Sequence, residues 1–241
     1  TEAFLKAECV YASPLTRALE TCLLVMEDHP ALNKQTGRGV KLYSQIREQK
    51  NVGGMDTVGQ HRGTAIMPAI EEELTTIMGL DAAKKACNVT VDINDTEQKW
   101  WIGASSYESK ASIASRVREV MEYLKYSKDN TIVCVGHSAF FKHFVKHNIG
   151  DELLVSRPSL SSKMSSYKLN NGAVLAITLD YEALNKEGQP VISDAELMFG
   201  SKFAEPKKGK KKGSRDDDDD DDDDEYSERQ SDVGDDVQNK M

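Results

Sequence analysis

Two short apolar runs in this chain each end at a pair of turn-forming or polar residues. Residues 9–12 are followed by Ser13-Pro14, and residues 131–135 are followed by Gly136-His137. Short apolar, β-branched runs that stop at such residues are typical of buried strands. Apolar positions at helical spacing follow each run, so the sequence predicts two strand-to-helix units.

Helical and strand-like patterns alternate along the rest of the chain. Helical spacing covers residues 14–27, 65–78 and 109–126. Strand-like runs cover residues 40–43, 165–169 and 173–179. Asn170-Asn171-Gly172 lies between the last two runs and predicts a tight turn that closes a hairpin. The alternation predicts an α/β fold with a mostly parallel sheet.

Residues 53–106 have a less regular pattern. We interpret this segment as an insertion that covers the carboxyl edge of the sheet. The adjacent Trp100 and Trp101 would either stack on a substrate or pack in a lid or core.

Arg17 lies one turn into the first predicted helix, close to the carboxyl end of its strand. Ser13 is a favourable N-cap residue and Pro14 suits the first helical position, so the helix is expected to begin there. A guanidinium group holds two phosphate oxygens at once and keeps its proton, which suits a phosphoryl-transfer site. The alternative is that Arg17 only pairs with Glu20 or Glu48 on a solvated surface.

His137 is expected at the strand-to-helix turn that ends the second apolar run. Ligands of open α/β sheets bind at the carboxyl ends of the strands, where Arg17 and His137 could face one anion. A histidine there can donate hydrogen bonds to a phosphoryl group in its transition state. The alternative is a buried histidine that is bonded to the backbone.

These motifs resemble those of the histidine phosphatase superfamily, also called the phosphoglycerate mutase-like family. Residues 13–21, S-P-L-T-R-A-L-E-T, are similar to the family's S-P-L-x-R-A-x-x-T segment, and Gly136-His137 is similar to its later G-H motif. Ile46-Arg47-Glu48 is similar to its L-R-E segment, which carries the acidic proton donor. The resemblance covers residues 1 to about 180.

The resemblance implies a three-layer α/β sandwich and a role for each matched residue. Arg17 would bind the phosphoryl oxygens, His137 would stabilise the transition state, and Glu48 would protonate the leaving group. No cofactor and no metal would be needed. The substrate would be a phosphorylated small molecule or a phosphoprotein.

One motif of the family has no counterpart in this sequence. The family's nucleophilic histidine lies in an R-H-G motif at the end of a first strand, whereas Gln60-His61-Arg62-Gly63 has the letters in another order and place. We therefore expect an N-terminally truncated chain whose first strand is missing and which has little activity by itself. A phosphatase working through a phosphohistidine is favoured; a metal-independent phosphoglycerate mutase and a non-catalytic phosphate-binding protein remain the alternatives.

Other candidate sites are weaker. His143 and His147 have the spacing of two ligands on one helical face, but no third ligand accompanies them, and we predict no metal site. Cys9, Cys22, Cys87 and Cys134 lack C-x-x-C spacing and are interpreted as reduced thiols of an intracellular protein.

The C-terminal segment differs from the rest in composition. The predicted domain covers residues 1–200, and residues 201–241 form a Lys-rich and then Asp-rich tail that is expected to be disordered. Residues 206–241 hold 8 Lys or Arg and 14 Asp or Glu, so they supply most of the net charge of −9. We expect no membrane or nucleic-acid partner and a cytoplasmic location, and the lysine run leaves a nuclear location open.

Overall fold

A computed structural model describes residues 2–32, 38–49, 60–101 and 108–204. The helices in this part are α1 (Glu2–Leu5), α2 (Thr16–Val25), α3 (Ile66–Met78), α4 (Leu80–Ala86), α5 (Lys110–Lys125), α6 (Ser138–Asn148), α7 (Asp151–Ser156) and α8 (Pro158–Ser166). The strands are β1 (Cys9–Ala12), β2 (Val40–Leu42), β3 (Val91–Asp92), β4 (Ile132–Val135), β5 (Val174–Leu184) and β6 (Pro190–Met198). The helices predicted over residues 14–27, 65–78 and 109–126 are confirmed within a few residues as α2, α3 and α5, and α6 is the helix expected after His137.

The first four strands form one parallel sheet in the order β3-β2-β1-β4. This confirms the predicted α/β class with a parallel sheet. Strand β1 lies between β2 and β4, with Ala12 opposite Leu42 on one side and Val135 on the other. The carboxyl ends of β1 and β4 therefore lie side by side.

Alternate residues of the sheet pack into two separate apolar clusters. Val10 and Ala12 of β1 belong to one cluster, while Cys9 and Tyr11 belong to the other. Side chains of a strand alternate between faces, so the two clusters lie on opposite faces of the sheet. Helices α2, α3 and α4 contribute to the first cluster, and α5 and α6 contribute to the second.

The prediction that residues 165–169 and 173–179 pair as the two strands of a hairpin is wrong. The turn forms, because the Ala173 N–H donates to the Asn170 carbonyl at 3.0 Å and Gly172 has a φ of +70°. However, residues up to Ser166 belong to α8. This helix begins with Pro158, and proline is favourable at the first position of a helix. The strand after the turn, β5, pairs with β6 instead.

The segment interpreted as an insertion contributes to the sheet and to one of its faces. Strand β3 extends the sheet in parallel beside β2, and α3 packs against α2. Trp100 is buried, and its indole N–H donates to the His61 carbonyl at 2.9 Å, so this tryptophan has a packing role. Residues 53–59 and 102–106 lie outside the described part.

The C-terminal end of the described chain packs onto the domain. Leu169 forms an isolated antiparallel bridge with Phe203, and Phe203 contacts the apolar cluster beneath α6. Ordered contacts therefore reach at least Phe203, and the remaining tail residues 205–241 lie outside the described part. Within the described ranges, no helix is long and apolar enough to cross a bilayer.

Strand β4 lies at the edge of the described sheet, which leads to a first prediction about the exchange of its amides. The Glu8 and Ser13 N–H groups donate to the carbonyls of Thr131 and Val135 at 2.8 and 2.9 Å. Because backbone groups of successive strand residues point to opposite edges, the N–H groups of Ile132 and Cys134 face away from β1. We expect these two amides to exchange with solvent about tenfold faster or more than the amide of Val135.

Native-state hydrogen exchange followed by NMR measures this difference. The amide of Tyr11, in the centre of the sheet, serves as the protected reference. Equal protection of Cys134 and Val135 would contradict the sheet order, because it would require another strand along the outer edge of β4.

Candidate active site

His137 lies in the turn between β4 and α6, as predicted. It is the N-cap residue of α6 in an extended conformation, and its carbonyl accepts the first helical hydrogen bond from Phe141 at 3.0 Å. The residue is only 6% exposed. Its ring is therefore fixed at the carboxyl edge of the sheet by the strand before it and the helix after it.

Ser13 is the partner that orients the His137 ring. The distance from Ser13 Oγ to His137 Nε2 is 2.9 Å, and both side chains are buried. The prediction that Ser13 caps the following helix is wrong, because α2 has Leu15 as its N-cap in an extended conformation. Ser13 Oγ accepts only a long hydrogen bond of 3.4 Å from the Leu15 N–H, which leaves it available to the imidazole.

Arg17 lies in the first turn of α2 and is half-buried. Its positive charge acts on both His137 and Glu48, where it lowers the pKa of the imidazole and of the carboxyl. The structure thus brings the guanidinium, the imidazole and the carboxyl together at one edge of the sheet. These are the three residues that the sequence motifs predict for the site.

Glu48 follows a short 3₁₀ helix, Ser44–Ile46, at the carboxyl end of β2. Its Oε1 accepts a hydrogen bond from the Gln49 N–H at 2.9 Å. Its Oε2 lies 3.9 Å from His137 Nδ1. The carboxyl and the imidazole therefore sit next to each other without a direct hydrogen bond.

Burial controls the protonation of both groups. Burial, together with the charges of Arg17 and Arg116, lowers the pKa of His137 to about 3. Burial raises the pKa of Glu48, and the hydrogen bond from Gln49 and the charge of Arg17 partly oppose that rise. At neutral pH His137 is uncharged, so its contact with Glu48 is not an ion pair.

Several residues around the site were not identified from the sequence. Gln49 Oε1 lies 3.2 Å from His143 Nε2, which ties the Glu48 loop to α6. The charge of Lys168 also lowers the pKa of Glu48. Arg116 was missed as well, although it follows Ile113 by three residues on a helix face that is otherwise apolar, and a charge at such a position is a detectable signal.

The remaining candidates have other contacts. His147 Nδ1 lies 2.8 Å from the His143 carbonyl, so the two imidazoles have different partners. No group of three potential metal ligands occurs among the described residues. The four cysteines are free thiols, and burial raises the pKa of Cys22 and Cys134 to about 12.

Comparisons of this chain with protein-family models, with curated proteins and with solved structures find no match.

The low pKa of His137 predicts an acid-sensitive contribution to stability. An unfolded histidine titrates near 6.5, whereas folded His137 titrates near 3. Between these values the unfolded state binds more protons, so the free energy of unfolding falls as the pH is lowered. We expect a slope of at most about 1.4 kcal/mol per pH unit from this group.

Urea unfolding from pH 7 to pH 3 measures this contribution. The variant His137→Gln should lose less stability over this range than the unmodified chain, because its side chain does not titrate. The variant His147→Gln, which removes an exposed imidazole, controls for the loss of a histidine as such. If the free energy of unfolding fell equally with pH in His137→Gln and in the unmodified chain, the low pKa of His137 would be contradicted.

Proposed function

We propose that this chain forms the phosphate-binding part of a phosphomonoesterase of the histidine phosphatase type. The observation that carries the proposal is the convergence of Arg17, His137 and Glu48 at the carboxyl edge of a parallel sheet. A fixed cation, an oriented imidazole and a carboxyl with a raised pKa are the groups that phosphate-ester hydrolysis uses. We extend the proposal to a three-layer sandwich fold, which the apolar clusters on both faces of the sheet support.

Each group has a distinct task in this proposal. The guanidinium of Arg17 holds two phosphoryl oxygens and neutralises part of their charge. His137, aligned by Ser13, donates a hydrogen bond to a third oxygen as charge develops in the transition state. Protonated Glu48 gives its proton to the oxygen of the leaving alcohol.

The entry of a phosphate would also change the protonation of the site. A phosphate dianion beside His137 favours the charged form of the imidazole and the neutral form of the Glu48 carboxyl, so both pKa values rise. The protein's own charges have the reverse effect at His137, because Arg17 and Arg116 disfavour a further positive charge. Phosphate binding is therefore expected to take up protons near neutral pH.

The nucleophile in this proposal is a histidine on a strand that adds to the outer edge of β4. That edge has no strand partner within the described residues, and β4 adjoins β1 on its other side. In the first step the histidine nitrogen forms a bond to phosphorus while the P–O bond to the ester oxygen breaks, and that oxygen takes the proton of Glu48. In the second step water attacks phosphorus and gives a proton to the Glu48 carboxylate while the N–P bond breaks, which releases phosphate and restores both the imidazole and the protonated Glu48.

Phosphate binding by the 241-residue chain tests the proposal. Inorganic phosphate should shift the NMR signals of the His137 ring and the Arg17 side chain together. The variant Arg17→Met should weaken binding by about tenfold or more, because a charge-assisted double hydrogen bond is lost. Calorimetry in buffers with different ionisation enthalpies should show the proton uptake.

Arg118→Met is the matched control. Arg118 lies on α5, is half-exposed, and pairs with Glu187 at 3.3 Å, so its loss removes the same charge from the chain at another place. Phosphate affinity should stay unchanged in this variant. Equal phosphate affinity in Arg17→Met and the unmodified chain would contradict the proposed function.

A further inference from the structure

Arg116 is a buried cation to which the proposed reaction assigns no task. It lies on α5, on the face that also buries Ile113 and Val120, and is only 4% exposed. A charged group in this position loses most of its hydration, so burial lowers the pKa of its guanidinium. Such a group remains charged only where polar partners replace the lost water.

The hydrogen-bond partners of Arg116 lie along two edges of its planar guanidinium group. On one side, Nε and Nη2 donate to the two carboxylate oxygens of Glu108 at 2.9 and 2.7 Å. On the other side, Nη1 donates to the backbone carbonyls of Gln45 and Arg47, both at 2.8 Å. The carboxylate holds the side chain in place, and the side chain holds the backbone of the loop.

This backbone carries Glu48. The Arg47 carbonyl belongs to the peptide bond that links Arg47 to Glu48, so Arg116 fixes the chain directly before the acidic residue. Arg47 itself reaches the same carboxylate, with Nη2 3.7 Å from Glu108 Oε1, and donates to the Ser44 carbonyl at 3.0 Å. Two arginines thus share one carboxylate beneath the loop.

Arg116 also contacts the helix that follows His137. The centre of its guanidinium lies 4.6 Å from the ring centroid of Phe140, which is fully buried on α6. A guanidinium over an aromatic face is attracted to it. Phe140 lies three residues after His137, so one side chain joins the loop that carries the carboxyl to the helix that carries the imidazole.

We propose that Arg116, anchored by Glu108, is a positioning residue that holds the Glu48 loop against α6 and thereby fixes the carboxyl relative to His137. The chemical meaning of this role rests on the proposed function, in which Glu48 protonates the leaving group. Lysine cannot take this role, because a single ammonium group cannot bind both carboxylate oxygens and two carbonyls in one plane.

The variant Arg116→Lys tests the role, because it keeps the charge and removes the planar fork. In the 241-residue chain, the loop should loosen, water should reach Glu48, and the midpoint of the Glu48 titration should fall by about one pH unit. Carboxyl ¹³C NMR signals across a pH series measure this midpoint. Arg118→Lys, on the exposed face of the same helix, should leave it unchanged.

Glu108→Gln is the second variant, for the case that Arg116→Lys does not fold. It keeps the size of the Glu108 side chain and weakens its hydrogen bonds with Arg116. The Glu48 titration midpoint should fall in this variant as well. A folded Arg116→Lys protein with an unchanged midpoint would overturn the positioning role. Failure of both variants to fold would also overturn it, because the network would then serve the fold as a whole.

The titration keeps this inference separate from the proposed function. If the unmodified chain binds no phosphate but the midpoint falls in Arg116→Lys, the proposed function fails and the positioning role stands. If the chain binds phosphate through Arg17 and the midpoint does not move, the proposed function stands and the positioning role fails.

Discussion

The parallel pairing of β1 with β4 is the constraint on which the candidate site depends. In this register the Ser13 N–H donates to the Val135 carbonyl at 2.9 Å, so the two chains leave the sheet at the same level. The Ser13 hydroxyl and the His137 ring then meet at 2.9 Å. A shift of one residue in the register would turn alternate side chains to the opposite face and separate the two groups.

The electrostatics of the site follow from its burial. Two cations near His137 disfavour its protonation, and the lost hydration of Glu48 disfavours its ionisation. Arg17 and Arg116 thus keep a positive potential at the imidazole, although Arg116 is itself paired with Glu108. A positive potential at this edge of the sheet favours the binding of an anion there.

The sequence predicts the site better than it predicts the surroundings of the site. Arg17, Glu48 and His137 lie in short local motifs, and the strand and helix patterns around Arg17 and His137 are regular enough to place both side chains at strand ends. The β5–β6 pairing and the contact of Arg116 with residues 45–47 join segments that are far apart in the chain. Periodicity reports which face of an element is buried but does not identify its partner, so these contacts could not be predicted from it.

The central claim is that Arg17 and His137 bind one tetrahedral oxyanion. A crystal structure of the chain with tungstate, a heavy analogue of phosphate, tests this claim directly. We predict that the anion lies between the Arg17 guanidinium and the His137 ring, within hydrogen-bond distance of both and next to the Glu48 carboxyl. Tungstate bound at other surface sites of the crystal but not between Arg17 and His137 would contradict the claim.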